Sequence, residues 1–433
     1  MGFLLFILVN VVLFIRPSEI IPDLQALPLY ELSIVSCLLI CFPTVLEQLS
    51  GRSLAAQPIS ACVVGMPVAV ILSHLSHFDT ASAQVSGETF FKNLLYYLLL
   101  IGVLSSADRL HQFLRWLALL AMVLASVALL DYHGVVDIPG VESTAREETL
   151  STGQTISFIQ LRSSGIFDDP NDLCLILVVA IAISLYRLGD LRSGLSRFLW
   201  LAPLGLFGYA LALTRSRGGL LALLACLMSL FQTRFGWRKA ILAMLLVLPV
   251  MLVLFGGRQT SISTEEGTSQ QRIKLWTEAI LLFRWKPFFG IGEGKFVEEN
   301  ALVAHNSFVQ AYAELGFFGG TLFLGIFYFA ILSLYRLGSP QVQILDPELR
   351  RLRPYLAALV AGYATGMLTL SRADIVPTYM VPGLVVAYLR IAAVYPFSPI
   401  PRLDARLVQH LALVSIAFLA ATYLFVRFSA RWG

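Results

Sequence analysis

Leu173-Cys174-Leu175-Ile176-Leu177-Val178-Val179-Ala180-Ile181-Ala182-Ile183 runs without a polar side chain, and no charge appears before Arg187. As the middle of an apolar segment at 171–187, it is long enough to cross the hydrocarbon core of a bilayer as a helix. In lipid the backbone must satisfy its own hydrogen bonds, which leaves helices or closed barrels, and an unbroken apolar run lacks the alternation of a barrel strand. Twelve more stretches of this kind lie near 1–15, 29–46, 58–74, 89–105, 110–130, 197–213, 217–233, 239–256, 316–335, 354–371, 376–395 and 407–427. The bulk composition agrees: 57% of the 433 residues are hydrophobic and 13% charged, with a mean hydropathy of +0.77. Soluble domains carry about a quarter charged residues, so lipid is the expected solvent. The fold is expected to be all-α, a polytopic transmembrane bundle of about 12–13 spans forming one integral membrane domain over 1–433.

Several classes of function fall away on the same grounds. A net charge of +4, scattered along the chain, gives no nucleic-acid footprint. Cys37, Cys41, Cys62, Cys174 and Cys226 all lie in apolar stretches and read as small hydrophobes, not as a disulfide or zinc framework. Met1 to Ile15 has neither a basic leader nor a small-residue cleavage site, and reads as a retained, short first span. No internal repeat, low-complexity stretch or soluble domain of ordinary size is evident.

Orientation follows from the basic residues of the short connections, which accumulate on the cytoplasmic side. With the N-terminus inside, 16 of the 31 basic residues fall in cytoplasmic loops, among them Arg187, Arg192, Arg234, Arg351, Arg353 and Arg390. The opposite short connections hold Arg16, Arg215, Arg217 and Arg372. This arrangement places the polar loops 131–170 and 257–315 outside the cytoplasm, with 257–315 as the expected catalytic loop. Within it, Ile273, Trp276, Ile280 and Phe283 recur at helical spacing, so Ser269–Phe283 is expected to form an amphipathic helix at the membrane surface, with Arg284, Trp285 and Lys286 at headgroup depth.

Four outer motifs carry candidate chemistry. Thr214-Arg215-Ser216-Arg217-Gly218-Gly219 puts two arginines at the positive end of a helix dipole, on the face otherwise depleted of basic residues. A diphosphate would compensate them, held by guanidinium forks and by helix-start N–H groups beside two glycines. The plain alternative is interfacial anchoring. In Ala304-His305-Asn306-Ser307-Phe308-Val309-Gln310, continuing to Glu314, a helix puts Ser307, Gln310 and Glu314 on one face leading from His305. A histidine at a helix start tends to stay neutral and can accept a proton, while the plain reading makes Asn306 an N-cap and His305 merely exposed. Other outer histidines are His74, His77 and His133. In Arg162-Ser163-Ser164-Gly165-Ile166-Phe167-Asp168-Asp169-Pro170-Asn171, Asp169 and Pro170 suit an N-cap and first helical position, and Arg162 could add to a phosphate site. Gly290-Ile291-Gly292-Glu293-Gly294-Lys295-Phe296 lacks P-loop spacing; it could hold an anion or be an ordinary turn.

Taken together, Gly165-Ile166-Phe167 with Pro170-Asn171, Ser216-Arg217-Gly218, Arg272 and Trp276 with Pro287 and Gly290-Ile291-Gly292, and His305-Asn306 with Gln310, Glu314, Gly316 and Gly319 resemble the O-antigen ligase, O-antigen polymerase and bacterial protein O-oligosaccharyltransferase family. The likeness rests on the order and shared outer position of these motifs over residues 162 to 320; the flanking spans resemble the family in topology alone. It implies a glycosyltransferase of the inner membrane, facing the periplasm or cell exterior and needing neither metal nor cofactor, that moves a glycan from undecaprenyl diphosphate to an acceptor hydroxyl. The donor diphosphate would meet Arg215 and Arg217, helped by Arg162, Arg272 or Arg372. His305 would orient or deprotonate the acceptor, positioned by Asn306, Gln310 and Glu314. The acceptor could be a glycolipid, a growing glycan or a protein, so a repeat-unit polymerase is the alternative within the class. A lipid-linked sugar transporter would instead need its polar site near the bilayer midplane, whereas these motifs gather at one face.

Overall fold

A computed structural model describes residues 1–20, 22–24, 27–136, 145–149, 155–255, 268–395 and 401–429. Helices α1 (Gly2–Ile15), α2 (Pro17–Ile20), α3 (Leu29–Gln48), α4 (Gly51–Ala56), α5 (Pro58–Leu75), α6 (Thr80–Val103) and α7 (Ala107–Tyr132) make up the first part of the bundle. Strands β1 (Ala145–Thr149) and β2 (Thr155–Ile159) follow as an antiparallel pair within the polar loop. Next come α8 (Pro170–Leu188), α9 (Leu201–Leu213), α10 (Arg217–Phe235) and α11 (Trp237–Leu254), then the loop helices α12 (Thr268–Trp285) and α13 (Lys295–Asn300). The chain continues through α14 (Ser307–Arg336), β3 (Gln343–Ile344), α15 (Pro347–Met367), α16 (Val376–Ile391), β4 (Val394–Tyr395), paired antiparallel with β3, and α17 (Ala405–Ser429).

The all-α bundle is as expected, apart from two short strand pairs that lie between helices. Each of the thirteen apolar stretches is helical over most of its length, and the one at 376–395 ends in β4. Among the described residues, eight helices are long and apolar enough to cross a membrane, and α1 and α16 are shorter apolar helices. Residues 137–144 and 256–267, parts of the two polar loops, lie outside the described residues.

α8 and α16 are enclosed: Leu173 to Ile183 and Val376 to Leu389 are buried on every face. α3, α11 and α17 instead turn large apolar side chains outward, including Leu39, Leu246 and Leu413. Lipid tails are as apolar as a protein core, so helices here associate by close packing, which small residues permit. A Cβ on Gly366 of α15 would lie 2.1 Å from Leu175 of α8, and one on Gly362 would lie 2.9 Å from Cys226 of α10.

Charged residues sort to the two ends. At one end Arg351 meets Glu348 at 2.9 Å and Asp190 at 3.6 Å, Arg192 meets Glu348 at 2.7 Å, Arg234 bonds Tyr355 and Arg390 bonds Gln48. These are arginines that the charge count grouped on one side. The motifs at 162–172, 214–219, 290–314 and 370–374 gather at the other end.

Candidate functional site

Two helix starts at this end are tied to each other. Asp169 caps α8 by accepting from the Asn171 backbone N–H and Nδ2, each at 2.7 Å, with Pro170 in the first turn. Ser216 caps α10 by accepting from the Gly219 N–H at 3.0 Å, and its hydroxyl donates to Asn171 Oδ1 at 2.6 Å. Gln160 Nε2 donates to the Thr214 carbonyl at 2.9 Å, and Leu161 N–H to that of Leu213 at 3.1 Å. The loop carrying Arg162 is thereby laced to the loop carrying Arg215 and Arg217. Arg215 itself has a left-handed backbone, φ 50°.

The two glycines after Arg217 do something other than the sequence suggested. A Cβ on Gly218 would lie 2.2 Å from Thr369 Oγ1, and one on Gly219 would lie 2.4 Å from Cys174 Sγ. They are small so that α10 can press against α8 and the end of α15. The Gly219 N–H is already committed to Ser216 and is not turned toward an anion.

Arg372 is matched within the protein. Its Nε donates to Asp172 Oδ2 at 2.7 Å, and the Asp172 side chain is 1% exposed. Burial works against the Arg372 charge, but the adjacent carboxylate outweighs it and raises the pKa. Its backbone N–H donates to Ser307 Oγ at 3.0 Å, Ser307 donates on to the Leu370 carbonyl at 2.6 Å, and Thr378 Oγ1 donates to the Arg372 carbonyl at 2.7 Å. Arg372 therefore ties the starts of α8, α14 and α16 while remaining one-third exposed. A single Nε contact leaves the rest of the guanidinium for another anion.

His305 sits in a backbone clamp. On its N-terminal side, the Ala304 carbonyl accepts from Trp276 Nε1 at 2.9 Å, and the Ala304 N–H donates to Gln310 Oε1 at 3.2 Å. On the other side, Asn306 Oδ1 accepts from the Phe308 and Val309 N–H groups, capping α14. His305 between them has φ 51°, a conformation that side chains with a Cβ adopt at a cost of about 1 kcal/mol or more. Gln310 Nε2 donates to Glu314 Oε1 at 2.9 Å, and Glu314 also accepts from the Phe296 N–H. Gln310 and Asn306 thus hold the backbone on either side of the histidine. α12 takes part as well: Leu275 and Ala279 are buried in one cluster with Phe296 of α13 and with Val309 and Ala313 of α14, so the amphipathic helix packs onto the site. Arg272 lies on it, one turn before Trp276.

The glycine-rich turn is a structural brace. Gly292 N–H donates to the Glu314 carbonyl and Ile291 N–H to that of Ala313, so these groups are not turned toward an anion. Opposite them α14 breaks at Gly316, φ 64° and ψ −164°. A Cβ on Gly290 would lie 2.2 Å from the Glu314 backbone, and one on Gly316 would lie 2.4 Å from that of Phe288. The turn delivers Glu293 to a cavity of about 30 Å³ lined also by Ser307, Gln310, Glu314, Arg372 and Asp374. Partial burial raises the Glu293 carboxyl, the Asp374 charge adds to this, and a bond to Ser86 opposes it.

Arg372, Gln310 and Glu314 thus share one cavity, and Arg162 shares a laced pair of loops with Arg215 and Arg217. Arg162 Nε, Ser163 Oγ and Asp172 Oδ1 are buried with no hydrogen-bond partner among the described residues. Sequence reasoning missed Asp172, Glu293 and Asp374. Asp172, an acid two residues into an apolar span, carried a readable signal, because ionisable groups in such places mark functional sites.

This end of a polytopic helical bundle gathers Arg162, Arg215, Arg217 and Arg372 with Asp172, Glu293, Asp374 and Glu314. Comparison with known families narrows the class: residues 202–324 match the O-antigen ligase family model, and that segment is similar to the ligase- and polymerase-type membrane glycosyltransferases. The matched segment holds Arg215, Arg217, Arg272, Trp276, His305, Gln310 and Glu314, and leaves out Arg162, Asp172 and Arg372. No curated protein matches the chain.

Proposed function

We propose that the protein transfers a glycan from undecaprenyl diphosphate to an acceptor hydroxyl at the outer face of the bacterial inner membrane, as an O-antigen ligase does. The observation that carries this reading is the clamp on His305, held in a left-handed conformation by Trp276, Gln310 and Asn306. A backbone fixed on both sides of a histidine sets where its imidazole is carried, which favours pre-organisation for proton transfer.

In the proposed reaction the acceptor oxygen bonds to the anomeric carbon as the bond from that carbon to the diphosphate oxygen breaks. The leaving oxygen keeps the electron pair, and the acceptor proton passes to His305 and then to water. Arg215 and Arg217 stabilise the departing diphosphate through bidentate contacts, with Arg162 beside them and the uncommitted part of the Arg372 guanidinium nearer the acceptor. Charge-assisted bonds of about 1.5–3 kcal/mol each let two or three arginines outweigh the cost of holding the charges in a partly dry site.

Reconstitution of the full chain in vesicles with an undecaprenyl-diphosphate glycan tests the reading. Acceptor-dependent release of the free diphosphate carrier is expected. Movement of the intact lipid-linked glycan across the bilayer without release would make the protein a transporter.

A further inference from the structure

A second, larger cavity of about 410 Å³ lies beside the one described, between α1, α3, α6 and the start of α16. Its volume falls within the ~300–1,000 Å³ range of small-ligand pockets. Apolar walls come from Leu13, Leu27, Ile166 and Ile375. Set among them are Tyr30, Glu31, Thr89, Lys92, Asn93 and Asp374.

Its charges balance: Arg16 and Lys92 stand against Glu31 and Asp374, and Lys92 meets Glu31 at 3.4 Å. Such a lining gives a diphosphate no excess of positive charge. It does offer both donors and acceptors at close spacing, which suits the hydroxyls of a neutral sugar. Tyr30 lines the cavity, but its hydroxyl is buried behind that wall and is not presented to a ligand there. Asn93 Nδ2 donates to the Asp374 carbonyl and fixes the inner wall.

That wall is also the link to the reaction centre. Asp374 lines both cavities, and the inner one, with Arg372, Ser307, Gln310 and Glu314, has room for little more than a water or one hydroxyl. Arg16 marks the border on the donor side, since its side chain packs against Gly165 in the Arg162 loop. We infer that the larger cavity binds neutral sugar residues of the acceptor and feeds one hydroxyl past Asp374 into the inner cavity. The inference rests on the glycan-transfer reading for the word acceptor, and on the cavity alone for the binding of sugar.

The test uses the full chain in nanodiscs carrying Thr89→Cys. Thr89 lines the cavity and is exposed, whereas the five native cysteines are buried. A charged maleimide labels the new thiol in the presence of neutral oligosaccharides released by mild acid from the source cell envelope, or of inorganic pyrophosphate. The oligosaccharides should slow labelling at least fivefold and pyrophosphate should not; labelling of a Glu298→Cys control, outside the cavity, should stay constant. Equal protection by pyrophosphate, or none by millimolar oligosaccharide, overturns the inference. Thr89→Trp, which fills the cavity, should raise the acceptor KM at least tenfold with the donor KM unchanged, and an unchanged acceptor KM also overturns it. Carrier release by the wild-type nanodiscs is measured separately: its absence would remove the transfer reading, while saccharide protection would still report a sugar site.

Discussion

Arg372 and Asp172 meet at 2.7 Å through Nε and Oδ2, joining the start of α8 to the connection between α15 and α16. Asp172 Oδ1 is buried with no partner among the described residues, so the carboxylate is paired through one oxygen only. Breaking a buried ion pair from one side leaves an uncompensated charge. Arg372→Leu should therefore destabilise the protein by roughly 3 kcal/mol, with the partial exposure of the arginine holding the loss at the low end. The double variant Asp172→Leu with Arg372→Leu should recover most of that stability and remain inactive. Thermal unfolding in nanodiscs separates the two; a double variant no more stable than the single one would show that the pair is not coupled.

Arg217→Lys tests the donor contact, because an ammonium keeps the charge but loses the planar fork. Transfer should fall at least tenfold while expression and melting temperature hold. Full activity in the double Arg215→Lys, Arg217→Lys variant would favour interfacial anchoring instead.

The left-handed backbone at His305 separates stability from function. His305→Gly relieves the conformational cost, and His305→Ala retains it, so the Gly variant should be more stable than the Ala variant by about 1 kcal/mol. Both should lose turnover much more than donor binding, at least a hundredfold for a general base. Normal turnover in the Ala variant would take the histidine out of the mechanism.

Glycines of the brace should divide by what surrounds them. Gly316→Ala puts a Cβ into the Phe288 backbone at a positive φ and should cost about 2–4 kcal/mol together with activity. Gly294→Ala, at φ 78° with open space around it, should cost only about 1 kcal/mol. Equal losses in chemical denaturation would contradict the packing argument.

Glu293 supplies a pH signature. Its pKa is raised in the fold, so the folded chain holds the proton more tightly than the unfolded one. Its stabilising contribution is present below the ordinary carboxylate value and is lost as pH rises from there through the raised value. Glu293→Gln should remove that decline, so the variant gains on the wild type as pH rises across this window. A difference between the two that does not vary with pH would show that Glu293 titrates normally.

The class of fold was legible from the chain because lipid leaves a backbone little choice: an apolar run such as Leu173–Ile183 must be helical wherever it sits. Caps at Asp169 and Asn306 were legible too, since their hydrogen bonds close within three residues. The sequence could not say that α8 is enclosed while α3 and α11 face outward, because lipid and protein interior are equally apolar and the same side chains suit both. Nor could it reveal that Gly218 and Gly219 serve helix contact, or that Arg372 is held by Asp172, for those partners are distant in the chain. The Trp276–Ala304–Gln310 clamp, and the Asp374 wall shared by two cavities, exist only once α6, α12, α14 and α16 are packed. Local chemistry set the residue types at this end of the bundle, and long-range packing decided which of them share a space.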